Sequence, residues 1–233
     1  MTSARDDQGN GPDMVPELPA WVSLGPAGTL EDVAFLSGAA LSCLHAMLGH
    51  HAVPHALLRD RLALRSAEAC VGFSGRPERA ADLRDAVHLL RPGDLPGPAG
   101  ETCLAWRRAV ERPLSAKALY RALPDLHAEW IAIWRDAGQG VPVTRAARVL
   151  EAVLTSAPRA ELPALVLADA RLAQTLGWDH VVPLLAAGLR RADLSKQGAA
   201  LRMAAHRALI SSVAAAVRLA AELARRAAHL GVG

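Results

Sequence analysis

AALRMAAHRALISSVAAAVRLAAELARRAAHL, residues Ala199 to Leu230, decides the fold class. Ala, Leu and Arg, all strong helix formers, dominate it. At about 100° per residue, Leu201, Leu209, Ile210, Val213, Val217, Leu219, Leu223 and Leu230 fall within one half of the helical wheel. Arg207, Arg218, Glu222, Arg225 and Arg226 fall in the other half, with Arg202 as the exception. The apolar half-cylinder is roughly eight turns long, too much surface to leave in water. Part of it is expected to pack on helices around Val143 to Leu176. The end near Leu219, Leu223 and Leu230 has the least chain left to cover it. A partner protein or a second copy of the chain is therefore expected there.

Upstream the same grammar repeats. Glu161 to Leu176 reads as a helix capped by Gly177, and Val143, Ala147, Leu150 and Leu154 recur at helical spacing after Pro142. Trp178 to Leu194 is irregular around Pro183, with a turn or two at Leu184 to Leu189. Ser115 caps a short helix to Leu123. Pro124 and Asp125 start another that sets Trp130, Ile133 and Trp134 on one face. Further helices are expected over Glu101 to Val110, Glu78 to Leu90 (core candidates Ala81, Val87 and Leu90), Pro54 to Phe73, and Thr29 to Leu48. Thr29 and Asp32 form a capping arrangement, and Pro54 suits a first helical position. Residues 1–28 are polar, then rich in Pro and Gly, and read as a disordered tail that docks through Trp21. The expected architecture over residues 29–233 is an all-α, single-domain bundle of about eight or nine helices. The long helix closes it.

Composition agrees. Hydrophobic residues make up 52% of 233, so the chain can bury a substantial core. Aromatics at 3% disfavour extensive sheet. Net charge is only +3, from 26 basic and 23 acidic residues, and no dense basic run makes a stripe for nucleic acid. Lys occurs only at Lys117 and Lys196; the Arg bias goes with the Ala, Gly and Pro of a GC-rich coding sequence. Cys43, Cys70 and Cys103 are widely spaced and read as reduced, mostly buried thiols of a cytoplasmic protein. The apolar run Val33 to Gly49 is read as a core helix, and no membrane association is expected.

Polar chemistry concentrates in RDAVHLLRPGDLPGPAG, Arg84 to Gly100. Pro92, Gly93, Pro96, Gly97, Pro98 and Gly100 imply one particular loop shape, since Pro fixes φ and Gly opens conformations closed to other residues. The segment is expected to pack as a clasp on the helix carrying Trp106. Asp85 and His88 stand three apart and can touch on a helix, the start of acid–base chemistry, with Asp94 close by in the loop. Neither a nucleophile nor a metal set accompanies them, and a salt-bridged helix end, with His88 and Arg91 near its C-terminal dipole, is the preferred reading. His45, His50, His51 and His55 form a second cluster, read as an exposed turn that binds no metal. Asp169 and Arg171, with Trp178, Asp179 and His180 after the next turn, form a third, read as a buried Asp that caps or pairs with Arg. No phosphate-binding, dinucleotide or hydrolase motif occurs, and no cofactor is expected.

At these same residues the chain resembles a bacterial family of unknown function, family 1403 among the domains of unknown function. The resemblance lies in VAFLSGAAL (Val33 to Leu41), RLALRSAEA (Arg61 to Ala69), LRDAVHLLRPGDLPGPAG (Leu83 to Gly100) with Trp106 and Arg107, and LADARLAQTLGWDHVVPLL (Leu167 to Leu185). It spans most of the chain. It implies no known activity, cofactor or site residue, but does imply a further C-terminal segment beyond the position of Gly233. The function expected from the residues is an interaction or regulatory module. An enzyme using Asp85 and His88 is the alternative, and a DNA-associated protein a weaker one.

Overall fold

The computed structural model describes residues 16–24, 28–91 and 93–230. Among these residues it is all-α and holds no strand: α1 Ala20–Leu24, α2 Leu30–Leu48, α3 His55–Phe73, α4 Ala80–His88, α5 Gly97–Glu111, α6 Ala116–Ala122, α7 Ala128–Arg135, α8 Pro142–Ser156, α9 Glu161–Leu176, α10 Leu185–Gly188 and α11 Gly198–Leu230. Nine of these have seven or more residues. The expected boundaries hold within a residue or two for α2, α3, α6, α8, α9 and α11. At α2 the capping box forms as read: Asp32 N donates to Thr29 Oγ1 at 3.1 Å, and Thr29 N to Asp32 Oδ2 at 3.0 Å.

The centre of the molecule is α9. Every residue from Ala164 to Ala173 is buried, so the helix is covered on all sides, and α5, α7, α8 and α10 contact it. Two polar residues on it tie down its neighbours. Asp169 accepts Leu184 N and Leu185 N at 3.1 Å each, capping the start of α10. Arg171 Nη1 turns elsewhere, donating to Trp134 O, Arg135 O and Gln174 Oε1 at 3.3, 3.2 and 2.8 Å. It thereby satisfies carbonyls at the end of α7. Of the two readings, capping is therefore the one that holds for Asp169.

Around this centre, α11 lies along α2, with further contacts to α8, α10 and α3. By length and composition α2 could cross a membrane, with a mean hydropathy of 1.2. It buries Val33, Leu36, Ser37, Ala40, Leu41, Leu44 and Met47. The α2–α11 seam contains one polar pair, Ser37 Oγ and His206 Nδ1, 2.6 Å apart and buried. At Gly188, α10 meets α11 so closely that a Cβ would lie within 3 Å of the Ala208 backbone.

Four expectations are corrected. First, the helix expected from Glu101 begins at Gly97, inside the Pro/Gly run, because Pro98 in the first turn presets the helical φ. Second, α4 is shorter than read, and its buried residue is Leu83; Val87 and Leu90 are half-buried and Ala81 is exposed. With the helix ending at His88, Leu90 lies beyond its periodic face. Third, α1 forms within the stretch expected to be a disordered tail, where Val22 is buried and α2 and α11 are contacted. Most of that tail, residues 1–15 and 25–27, lies outside the described residues, as does Pro92. Fourth, Leu223 is buried within this chain and Leu219 is half-buried, leaving Leu230 exposed. The segment around α1 supplies cover for α11 that a reading of residues 1–28 as a tail left out: Pro16, Glu17, Leu18 and Ser23 line the same cleft as Val217 and Arg218.

Candidate functional site

Within Arg84 to Gly100, α4 packs on α5, the helix that carries Trp106, and the fit is tight at Gly100. A Cβ there would stand 2.7 Å from Pro96 Cβ and 3.9 Å from Ala86 Cβ of α4. Gly97 has φ +67°, which its missing side chain permits. The candidate acid–base residues do not assemble. Asp85 receives Arg84 Nε at 3.1 Å, and no hydrogen bond joins it to His88. Asp94 closes its own turn, accepting Arg91 N at 2.9 Å. All three side chains are exposed, and His88 lines a cavity.

That cavity is a groove of about 310 Å³ between α3, α4 and α5. Leu57, Leu64 and Val87 provide its apolar surface, with Cys103 buried beside them. Arg61, Arg84 and Arg107 surround it with His88, against a single carboxylate, Asp60. Arg84 is engaged by Asp85, whereas Arg61 and Arg107 form no ion pair among the described residues. Along the chain just past His88, Leu89 and Leu95 are 75% and 89% exposed, and Leu57 is 42% exposed. A larger cavity between α3 and α11, about 550 Å³, differs in charge because Arg79 there faces Glu68 at 3.9 Å.

The other two clusters meet each other. His45 at the end of α2, His55 and Arg59 on α3, and Trp178, Asp179 and His180 after α9 line one pocket of about 380 Å³. Sequence separation hides this, since only the fold back of the segment after Gly177 brings the sets together. Trp178 Nε1 donates to His45 Nδ1 at 3.0 Å, so the neutral His45 ring carries its proton on Nε2. Burial, then the Arg59 charge, lowers the pKa of both His55 and His180. His50 and His51 stack on each other at 5.2 Å beside the pocket and do not line it. No group of three metal-ligating side chains is positioned to hold an ion among the described residues.

Elsewhere, Cys70 receives the Trp106 indole N–H at 3.4 Å, and burial pushes its thiol up to about 12. It is an inert packing group.

A family described as "Protein of unknown function (DUF1403)" matches residues 6–232. The chain belongs to that family. No curated protein and no solved structure matches it. The groove is built from stretches through which the chain resembles the family, Arg61 to Ala69 and Leu83 to Gly100 with Arg107, so its architecture is the natural place to look for what this member of DUF1403 does.

Proposed function

We propose that this protein is an interaction module whose groove between α3, α4 and α5 receives an acidic, amphipathic segment of a partner protein. The observation that carries the reading is the pairing of an apolar floor with two unneutralised guanidiniums. Leu57, Leu64 and Val87 line the groove, and Arg61 and Arg107 stand beside them and form no ion pair among the described residues. An apolar helix face on that floor would bury Leu side chains, while Asp or Glu on its flanks would pair with the arginines. Arg suits this role because its planar fork meets a carboxylate through two N–H donors.

A labelled synthetic peptide tests this, with Leu on one helical face and Glu on the other, against a counterpart carrying Lys for Glu. Fluorescence anisotropy should show the acidic peptide binding and the basic one not. Arg61→Glu with Arg107→Glu should weaken binding at least about tenfold, and added salt should weaken the wild type. Equal binding of both peptides, or no effect of the double substitution, would contradict the proposal.

A further inference from the structure

We propose that the pocket lined by His45, His55, Arg59, Trp178 and His180 binds a phosphate group of a small molecule. It is separate from the groove: it opens where α2 ends and α3 begins, and takes its remaining wall from the segment after α9. Three features assign the ligand. The volume, about 380 Å³, falls in the range of small-molecule sites. Its polar lining sets one guanidinium and two imidazoles, His55 and His180, against Asp179, while the third imidazole, His45, accepts the Trp178 N–H. And Arg59 is fixed but not neutralised: its Nε donates to Val110 O at 3.2 Å, and it forms no ion pair among the described residues. His55 Nδ1 is buried with no hydrogen-bond partner, which leaves a polar atom for a ligand to satisfy.

The charge of Arg59 decides between an anion and a metal. A guanidinium beside the imidazoles repels a cation and attracts an oxyanion. Two titratable imidazoles beside it match the two negative charges of a phosphate monoester better than the single charge of a carboxylate. Apolar contact from Leu48 and Val182, with the Trp178 face, would hold the ester group.

Binding should take up protons. Burial, then Arg59, lowers the pKa of His55 and His180, against the His50 backbone for His55 and Asp179 for His180. A dianion against Arg59 cancels its charge and favours the imidazolium forms. The groups that face these two rings are His45 from α2, His50 from the turn, Arg59 from α3 and Asp179 from the segment after α9; Asp60 acts on Arg59.

Calorimetry with inorganic phosphate tests the assignment, run at pH 6 and pH 8 in two buffers of different ionisation heat. At pH 8, where free phosphate is already the dianion, binding should show net proton uptake by the imidazoles; at pH 6 the proton released by the phosphate monoanion offsets it. Arg59→Gln should abolish it. Because Arg59 also holds Val110 O, His180→Asn on the half-buried ring serves as the second variant, and should weaken binding and reduce proton uptake. Acetate should bind at least about tenfold more weakly than phosphate. The proposal is overturned if phosphate does not bind at pH 6, if a folded Arg59→Gln or His180→Asn protein binds as the wild type does, or if acetate binds equally well. Stoichiometric zinc binding that is lost in His180→Asn would overturn it too, since the pocket would then be a cation site.

Discussion

Asp169 is the residue on which most structural consequences meet. Its carboxyl is wholly buried, and desolvation raises its pKa to about 7 although two backbone N–H groups pull the other way. Folding therefore favours the protonated form between the unfolded value of 3.8 and about 7. In that window the native state binds more protons than the unfolded state, so this group makes stability fall as pH rises. The amide of an Asp169→Asn variant would not titrate. The melting temperature of the wild type relative to that variant should decline from pH 4 to pH 7, and a constant gap would show that the carboxyl does not titrate there. His206 acts in the opposite sense: burial, then Arg202, lowers its pKa, so its contribution is lost as pH falls below about 6.5. Sequence reading found Asp169 as a capping candidate, because an Asp in an Ala/Leu-rich helix needs a partner. It could not find the partners Leu184 and Leu185, which are backbone groups and leave no mark on residue choice.

At the scale of elements, Gly188 sets how α10 meets α11 and Gly97 sets the backbone at the start of α5. Gly188→Ala would drive a Cβ into the Ala208 carbonyl and separate α10 from α11. Overpacking of this kind costs about 3 kcal/mol, read as a fall in the denaturant midpoint. Gly97 faces open space, so Gly97→Val should cost only the strain of φ +67°, about 1–3 kcal/mol. An unchanged midpoint in either variant would show that the contact or the strain is absent. Helix identity was largely legible because Ala, Leu and Arg repeat at helical spacing between Pro and Gly, as at Val143, Ala147, Leu150 and Leu154, all buried in α8. The start of α5 was not, because PGPAG has the composition of a loop while Pro98 sits where a helix accepts it. The same ambiguity hid α1, a helix too short for periodicity to show.

For the whole molecule, the charge balance of +3 conceals local asymmetry. Arg61 and Arg107 come from different helices and become neighbours of one apolar floor only when α3 packs on α5. That is why the groove was not legible as a run of basic residues, and why the histidine pocket read as two unrelated clusters. The site residues suggested by spacing alone are not hydrogen-bonded to one another: Asp85 takes the adjacent Arg84, Asp94 closes its own turn with Arg91 N, and His88 lines the groove. Loss of the groove should leave the fold intact. Leu57→Ala removes a side chain that is already 42% exposed, so it should change stability by less than about 1 kcal/mol while weakening the acidic peptide several-fold. A matching fall in melting temperature would make Leu57 a core residue instead.

The most direct measurement is hydroxyl-radical footprinting of the intact chain with and without the acidic amphipathic peptide. Oxidation of Leu57, Leu64, Val87 and His88 should slow when the peptide is present, while Tyr120 and Leu230, exposed elsewhere, should react as before. Protection that falls instead on the stacked and exposed pair Trp21 and Phe35, or on no residue of the groove, would contradict the account.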